Sequence, residues 1–261
     1  KLNKLTKSTL IILFSLFSFS SFSQSNHNYL DSIEECKINE DHSGKFERLL
    51  IQHDGRIKPI STFSSEIIRK ISRYEKIYNQ TPSQVLLGII CYPEIWSNIP
   101  LLKIQNQQIL TELNSKNDLV SFKSLFDLED NYIFQNETYV AFKKSESERS
   151  KREKELLKLY ERINIFHSLM FTNIENSLLT IFPIENTEKW KKELSPKELK
   201  IPNEIVDSNR SINGLNLYFD ILKFCNDKNN FEAADKLLII IQKYQIDNGG
   251  DLIPSKWKLD L

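Results

Sequence analysis

Glycine is scarce, at 6 of 261 residues. That excludes collagen-like and Gly-rich-linker architectures and disfavours folds dense in β-turns. It also leaves no phosphate-cradling loop, because neither GxGxxG nor GxxxxGK followed by Ser or Thr occurs. Cysteine is limited to Cys36, Cys91 and Cys225. There is no CxxC, so neither a zinc ribbon nor a dithiol redox motif is supported. One disulfide among the three remains open, and spacing does not choose the pair. Cys91 ends the apolar run that starts at Leu86 and reads as a core residue. An excess of charge is missing too: 35 Lys and Arg balance 35 Asp and Glu. That balance argues against nucleic acid as a partner. HExxH and CxxCH are absent, and His27, His42, His53 and His167 share no metal-ligand spacing. What is present is 40% hydrophobic and 11% aromatic residues, enough for a packed core and too much for wholesale disorder.

Only one long apolar stretch occurs, from Ser8 to Phe22, behind Lys1, Lys4 and Lys7. It is shorter than the roughly 20 residues of a typical membrane span. It reads as a signal peptide ending near Ser23 and Gln24, or as a short retained membrane helix; a buried core helix is the third reading. Under the first two, the lysines stay cytoplasmic and the rest is exported. Composition then divides the chain into a signal-like or membrane segment (1–24), a linker (25–45), a mainly helical domain (46–183), a second linker (184–211) and a C-terminal helix pair (212–261).

The expected fold class is mainly α with a minor β-hairpin element. Asp54-Gly55 marks a turn, and Pro59 holds Lys58 extended. A helix is predicted from Thr62, capped by it, with Phe63, Ile67, Ile68 and Ile71 buried. Thr81-Pro82-Ser83-Gln84 is a capping box opening a helix that stops before Pro93. A hairpin is predicted over 101–113. The longest predicted helix runs from Ser147 to Phe182, with the seam Leu156, Tyr160, Ile163, His167, Met170, Ile174 and Leu178. Two helices follow, over 212–226 and 231–245, the second capped at Asn229, as an antiparallel pair.

No catalytic pair stands out. His167 and Met170 lie on the same helix face, so they cannot be opposite axial ligands of one haem iron; His167 reads as a packing residue of the seam. His42 reads as a linker histidine. Ser61, Thr62, Ser64 and Ser65 lack the GxSxG elbow of a nucleophile.

One stretch carries more. His42, Phe46, Leu49, Gln52, Gly55, Arg56, Lys58, Pro59, Thr62, Glu66, Arg69 and Lys70 stand in the order and spacing of a known pattern. Further along come Gln84 to Gly88, Pro93 to Trp96, Phe126-Asp127 with Asn131-Tyr132, Glu161 to Asn164, Ile181 to Ile184, Ile241 to Gln245 and Ile253 to Ser255. Together these resemble the extracytoplasmic segment of the Bacteroidetes fused system II cytochrome c biogenesis protein, a Ccs/Res-type haem exporter and cytochrome c synthetase. Ser43 and Glu47 depart from it, standing where that family has small residues or Gly.

The resemblance implies a binding and assembly module of a membrane system that delivers and attaches haem. It implies a place at the inner membrane with the bulk of the chain on the periplasmic side. Its partners would be the other membrane parts of the system and apocytochrome c. In that family haem is handled by membrane helices and a Trp-rich loop; this chain has no Trp-rich loop and at most one membrane segment. No haem-binding or catalytic residue therefore transfers to it, and haem belongs to the parent system. The motif residues His42 to Lys70 are expected to be structural. The alternative is an exported all-α adaptor unrelated to haem.

Overall fold

Helices dominate the computed structural model, which describes residues 29–170, 178–206 and 212–253. The apolar run Ser8–Phe22, His27 and Ile174 lie outside the described residues. Among those described, no helix is long and apolar enough to cross a membrane.

The polar stretch expected as a linker over 25–45 is largely folded. Tyr29–Glu35 (α1) and Glu40–Phe46 (α2) are helices, and Ile33, Cys36, Ile38, His42 and Phe46 are buried. Composition misled because the polar side chains of α2 find partners far away in sequence.

Leu50–His53 (β1) pairs antiparallel with Arg56–Pro59 (β2) around the expected turn. Asp54 and Gly55 take φ of 51° and 72°, the left-handed pair that suits a two-residue hairpin. No heavy atom crowds the site where a Gly55 side chain would start, so backbone strain alone sets the cost of substitution. Gly55→Val is expected to lose about 1–2 kcal/mol. A urea midpoint equal to the parent's would disprove the requirement.

Ile60–Ser72 (α3) starts ahead of Thr62, directly after the extended Pro59, and Thr62 is exposed without acting as its cap. Its buried stripe is the expected one. Pro82–Cys91 (α4) opens with the expected capping box: Gln84 N donates to Thr81 Oγ1 at 3.2 Å and Thr81 N to Gln84 Oε1 at 2.9 Å. Pro93–Trp96 (α5) lays its indole on Gly88, where a Cβ would sit 2.5 Å from Trp96 Nε1.

The hairpin expected over 101–113 is replaced. Leu102–Lys103 (β3) pairs with Leu119–Val120 (β4), and Gln107–Glu112 (α6) forms between them. Asn106 caps α6 by accepting from Gln108 N and Ile109 N, which starts a helix inside the expected hairpin. Gln135–Lys143 (α7) precedes the longest helix, Lys151–Met170 (α8).

The expected helix Ser147–Phe182 is thus shorter at both ends: residues 146–148 form a 3-10 turn and Phe182 lies in a strand. The buried face of α8 is Leu156, Leu159, Ile163, Phe166, Leu169 and Met170, with Glu155 and Arg162 among them. Tyr160 is half-buried, and His167 is exposed and not the packing residue expected. The buried face thus keeps Leu156, Ile163 and Met170 of the expected seam and adds Leu159, Phe166 and Leu169, while His167 falls outside it.

Phe182–Pro183 (β5) pairs with Trp190–Lys191 (β6). The described part of 184–211 is therefore no free linker: Trp190, Leu194, Leu199, Ile201 and Val206 are buried. Gly214–Lys228 (α9) and Glu232–Asn248 (α10) form the expected packed pair. Asn229, at φ 49°, ends α9 in the left-handed conformation and does not cap α10. One apolar cluster runs from Ile33 to Ile241, so residues 46–183 and the tail share a core.

Candidate functional site

Helix α2 is short, yet it is held at both ends of its buried face. Asn39 Oδ1 accepts from His42 N at 3.1 Å and caps it. Four-residue spacing puts His42 and Phe46 on one face, and that face meets α9 and α10. His42 Nδ1 is 2.7 Å from Asp235 Oδ1, and His42 Nε2 is 2.9 Å from Tyr218 Oη. Lys45 pairs with the other Asp235 oxygen. Phe231 stacks on His42 with ring centroids 5.2 Å apart, and Phe46 stacks on Tyr218 at 5.8 Å.

A carboxylate only accepts, so Nδ1 of His42 carries the proton that faces Asp235. Nε2 is then the acceptor for the Tyr218 hydroxyl. His42 is 1% exposed and Tyr218 fully buried. Burial lowers the His42 pKa below 6.5, against the hydrogen bond and charge of Asp235, and the charge of Lys45 pushes it the same way as burial. Burial alone would raise Asp235, but hydrogen bonds from Lys45 and His42 prevail and lower it. Burial raises Tyr218 well above 10, which keeps it a neutral donor.

The signs have a consequence for folding. A lowered histidine pKa means the unfolded chain binds the proton more readily. The His42 contribution is full above pH 6.5 and is lost as pH falls from there toward its folded value. The lowered Asp235 contributes above 3.8 and is lost as pH falls through its own folded value.

The expectation that His42 is a linker histidine is therefore corrected: it is a buried clasp between α2 and the C-terminal helix pair. The other expected motif residues divide. Gln52 Nε2 donates to Glu188 O at 2.7 Å, and its Oε1 accepts from Trp190 N at 2.9 Å; it fastens the hairpin to β6. Gly55 turns the hairpin and Pro59 leads into α3, as expected. Lys58 pairs with Glu66, Arg69 with Glu75 at 3.4 Å and Lys70 with Glu161 at 2.6 Å. Arg56 and Thr62 are exposed. Only Phe46 joins His42 at the clasp.

Asp235 and Tyr218 carried no sequence signal; they lie 193 and 176 residues from His42. Arg162 and Gln245 did lie inside matched motif segments. Gln245 Oε1 accepts from Leu50 N at 3.0 Å, and its Nε2 donates to Leu50 O at 2.8 Å and to Ile181 O at 2.7 Å. Arg162 donates to Glu155 at 3.1 Å and to the Lys103 carbonyl.

Cys36, Cys91 and Cys225 are buried free thiols. Burial raises Cys36 to about 11 and Cys91 further, which keeps both protonated and poorly nucleophilic. Among the described residues no group of three His, Cys, Asp or Glu side chains is gathered as a metal ion would require.

Among the described residues, one side of α7 is apolar and exposed. Tyr139, Val140 and Phe142 stand exposed on α7, with Ile133 just before it. Beside them lies a groove of about 540 Å³, walled by Phe142, Leu157, Tyr160, Ile165 and Leu178.

No family model matches the chain. Protein NrfI of Wolinella succinogenes is 28% identical over 231 residues, covering 87% of this chain. Those residues are 24% of NrfI, so the chain spans about a quarter of the length of the relative it matches.

Proposed function

We propose that this chain is the extracytoplasmic binding and assembly module of a cytochrome c biogenesis membrane protein. The observation that carries the reading is the similarity to NrfI along 87% of the chain. It supports a part in cytochrome c biogenesis in general, in keeping with the ordered motifs from His42 to Ser255. The relative is a Wolinella succinogenes protein, so it does not support the narrower Bacteroidetes fused type of the resemblance. The finer reading is ours. The module sits on the periplasmic side of the inner membrane. It serves a system that delivers and attaches haem, and it leaves haem to the other membrane parts.

Its docking face is the exposed side of α7 with the adjoining groove. Tyr139, Val140 and Phe142 are apolar, Lys143 lies 4.1 Å over the Tyr139 ring, and Lys158 and Glu161 edge the groove. An apolar, aromatic centre is the composition of a stable protein interface, which fits the membrane-embedded parts of the same system as the occupant. The double variant Tyr139→Ser with Phe142→Ser should leave the fold intact, since both side chains are exposed. Losing two aromatic anchors costs about 2 kcal/mol or more of docking energy, which is about thirtyfold in affinity. Holocytochrome c should fall sharply while the level of the biogenesis protein stays at the parent's. Parental holocytochrome c in that variant would sink the docking reading.

A further inference from the structure

The geometry points to an acid-released latch: α2 is clasped to the C-terminal helix pair by a hydrogen-bond chain, Tyr218 to His42 to Asp235, that holds only while His42 is neutral. The inference stands on its own and does not depend on the proposed function.

The chain has a fixed direction. The Tyr218 hydroxyl donates to Nε2, and Nδ1–H donates to Asp235. A second proton on His42 must go on Nε2, where the Tyr218 hydrogen already points. Tyr218 would have to turn its hydroxyl and accept, and its own proton would need a new acceptor. The groups facing the imidazole give that charge little help. Among the described residues Asp235 of α10 is the anion paired with it, and it is already shared with Lys45. Tyr218 of α9 is neutral, with the Cys91 and Cys225 thiols near it. Phe231, between α9 and α10, covers the ring with an apolar face. Protonation would leave two cations on one carboxylate in a site that is 1% exposed at His42. Water cannot reach the new charge unless α2 lifts.

The rest of the attachment is mainly apolar and does not titrate. Helix α2 is 7 residues long, too short to hold its shape without tertiary contacts. It also packs on α4, Phe46 is fully buried against Tyr218, and Ser43 Oγ bonds to the Glu40 carbonyl within its own turn. Acid should therefore open α2 before it opens the core. One proton taken up on opening changes the open population by up to about tenfold per pH unit.

Hydrogen exchange of the whole chain, followed by mass spectrometry at pH 7.5 and 5.0 and corrected for intrinsic rates, reads this directly. Amides of residues 42–46 should be less protected than those of α8 at both pH values and should lose protection at pH 5.0, by at most about thirtyfold; amides of α8 that open only with the whole core expose His42 as well and should lose no more than the same factor. His42→Phe keeps an aromatic ring between Phe231 and Tyr218 and has no proton to gain. In that variant the protection of α2 should change by less than about twofold between the two pH values. Nitrogen-15 spectra of the parent His42 ring give an independent reading that needs no variant to fold. They should show a protonated Nδ1 and bare Nε2 at pH 7.5, with a titration midpoint below 6.5. Equal α2 protection at both pH values, α2 protection no lower than that of α8, a pH step retained in His42→Phe, or a His42 midpoint above 6.5 would each overturn the latch.

Discussion

Gln245→Leu is expected to lower the unfolding free energy by about 3 kcal/mol or more. Gln245 is 2% exposed and spends its whole amide on backbone groups: it accepts from Leu50 N and donates to Leu50 O and Ile181 O. Leucine fills a similar volume but pairs with none of them. A buried backbone group left without a partner costs about 1–3 kcal/mol, and three would be stranded at once. The three segments involved, α10, β1 and the stretch entering β5, come from distant parts of the chain. No local rearrangement can reconnect them. Gln245→Glu separates hydrogen bonding from packing. It keeps the shape and can still accept from Leu50 N, but it sets a carboxylate against two carbonyl oxygens, so it should be at least as damaging as leucine. Urea unfolding followed by circular dichroism measures both. A Gln245→Leu midpoint equal to the parent's would refute the assignment of Gln245 as the tie between these segments.

Arg162→Met is expected to cost about 3–5 kcal/mol, the usual range when one partner of a buried ion pair is removed. Arg162 is 1% exposed and Glu155 6%. They lie on the inward face of α8, joined at 3.1 Å. Arg162 also donates to the Lys103 carbonyl, and Glu155 accepts from Gln105 N at 3.2 Å. The pair therefore holds α8 against the segment around β3. Methionine would fill the space of the arginine stem and leave Glu155 as an uncompensated buried charge. Adding Glu155→Gln removes that charge, so the double variant should recover part of the loss. A double-mutant cycle reports the coupling. Equal stability of the single and double variants would show that the charge is not what the arginine answers.

Both residues show where the sequence was legible and where it was not. Arg162 and Gln245 sat inside matched motif segments, so their order along the chain was visible, but their burial was not. A charged residue in the middle of α8 looks like a solvated face until its partner is known. The same holds at the clasp. His42 and Phe46 were marked by their motif, whereas Asp235 and Tyr218 resemble any acidic and aromatic residue of an amphipathic helix. His42 was misjudged for the same reason as the whole stretch 29–46. Polarity was read as solvent exposure, while the structure answers those polar groups with partners from α9 and α10.

Elements governed by neighbours in sequence could be read from the chain alone. The Asp54-Gly55 turn, the Thr81–Gln84 capping box, the buried stripe of α3, the α9–α10 pair and the mainly helical class each follow from steric and hydrogen-bonding preferences acting over a few residues. Tertiary structure alone decided the rest: that α8 buries Leu159 and Phe166 beside the expected Leu156 and Ile163, that Leu102–Lys103 pairs with Leu119–Val120, that the described part of 184–206 is packed, and that His42 is a clasp. The physical reason is one of range. A cap or turn gains its energy within a few residues, so its signature is written beside it. The buried polar groups gain theirs only when segments up to 195 residues apart meet, and composition near either end is the same whether or not they do.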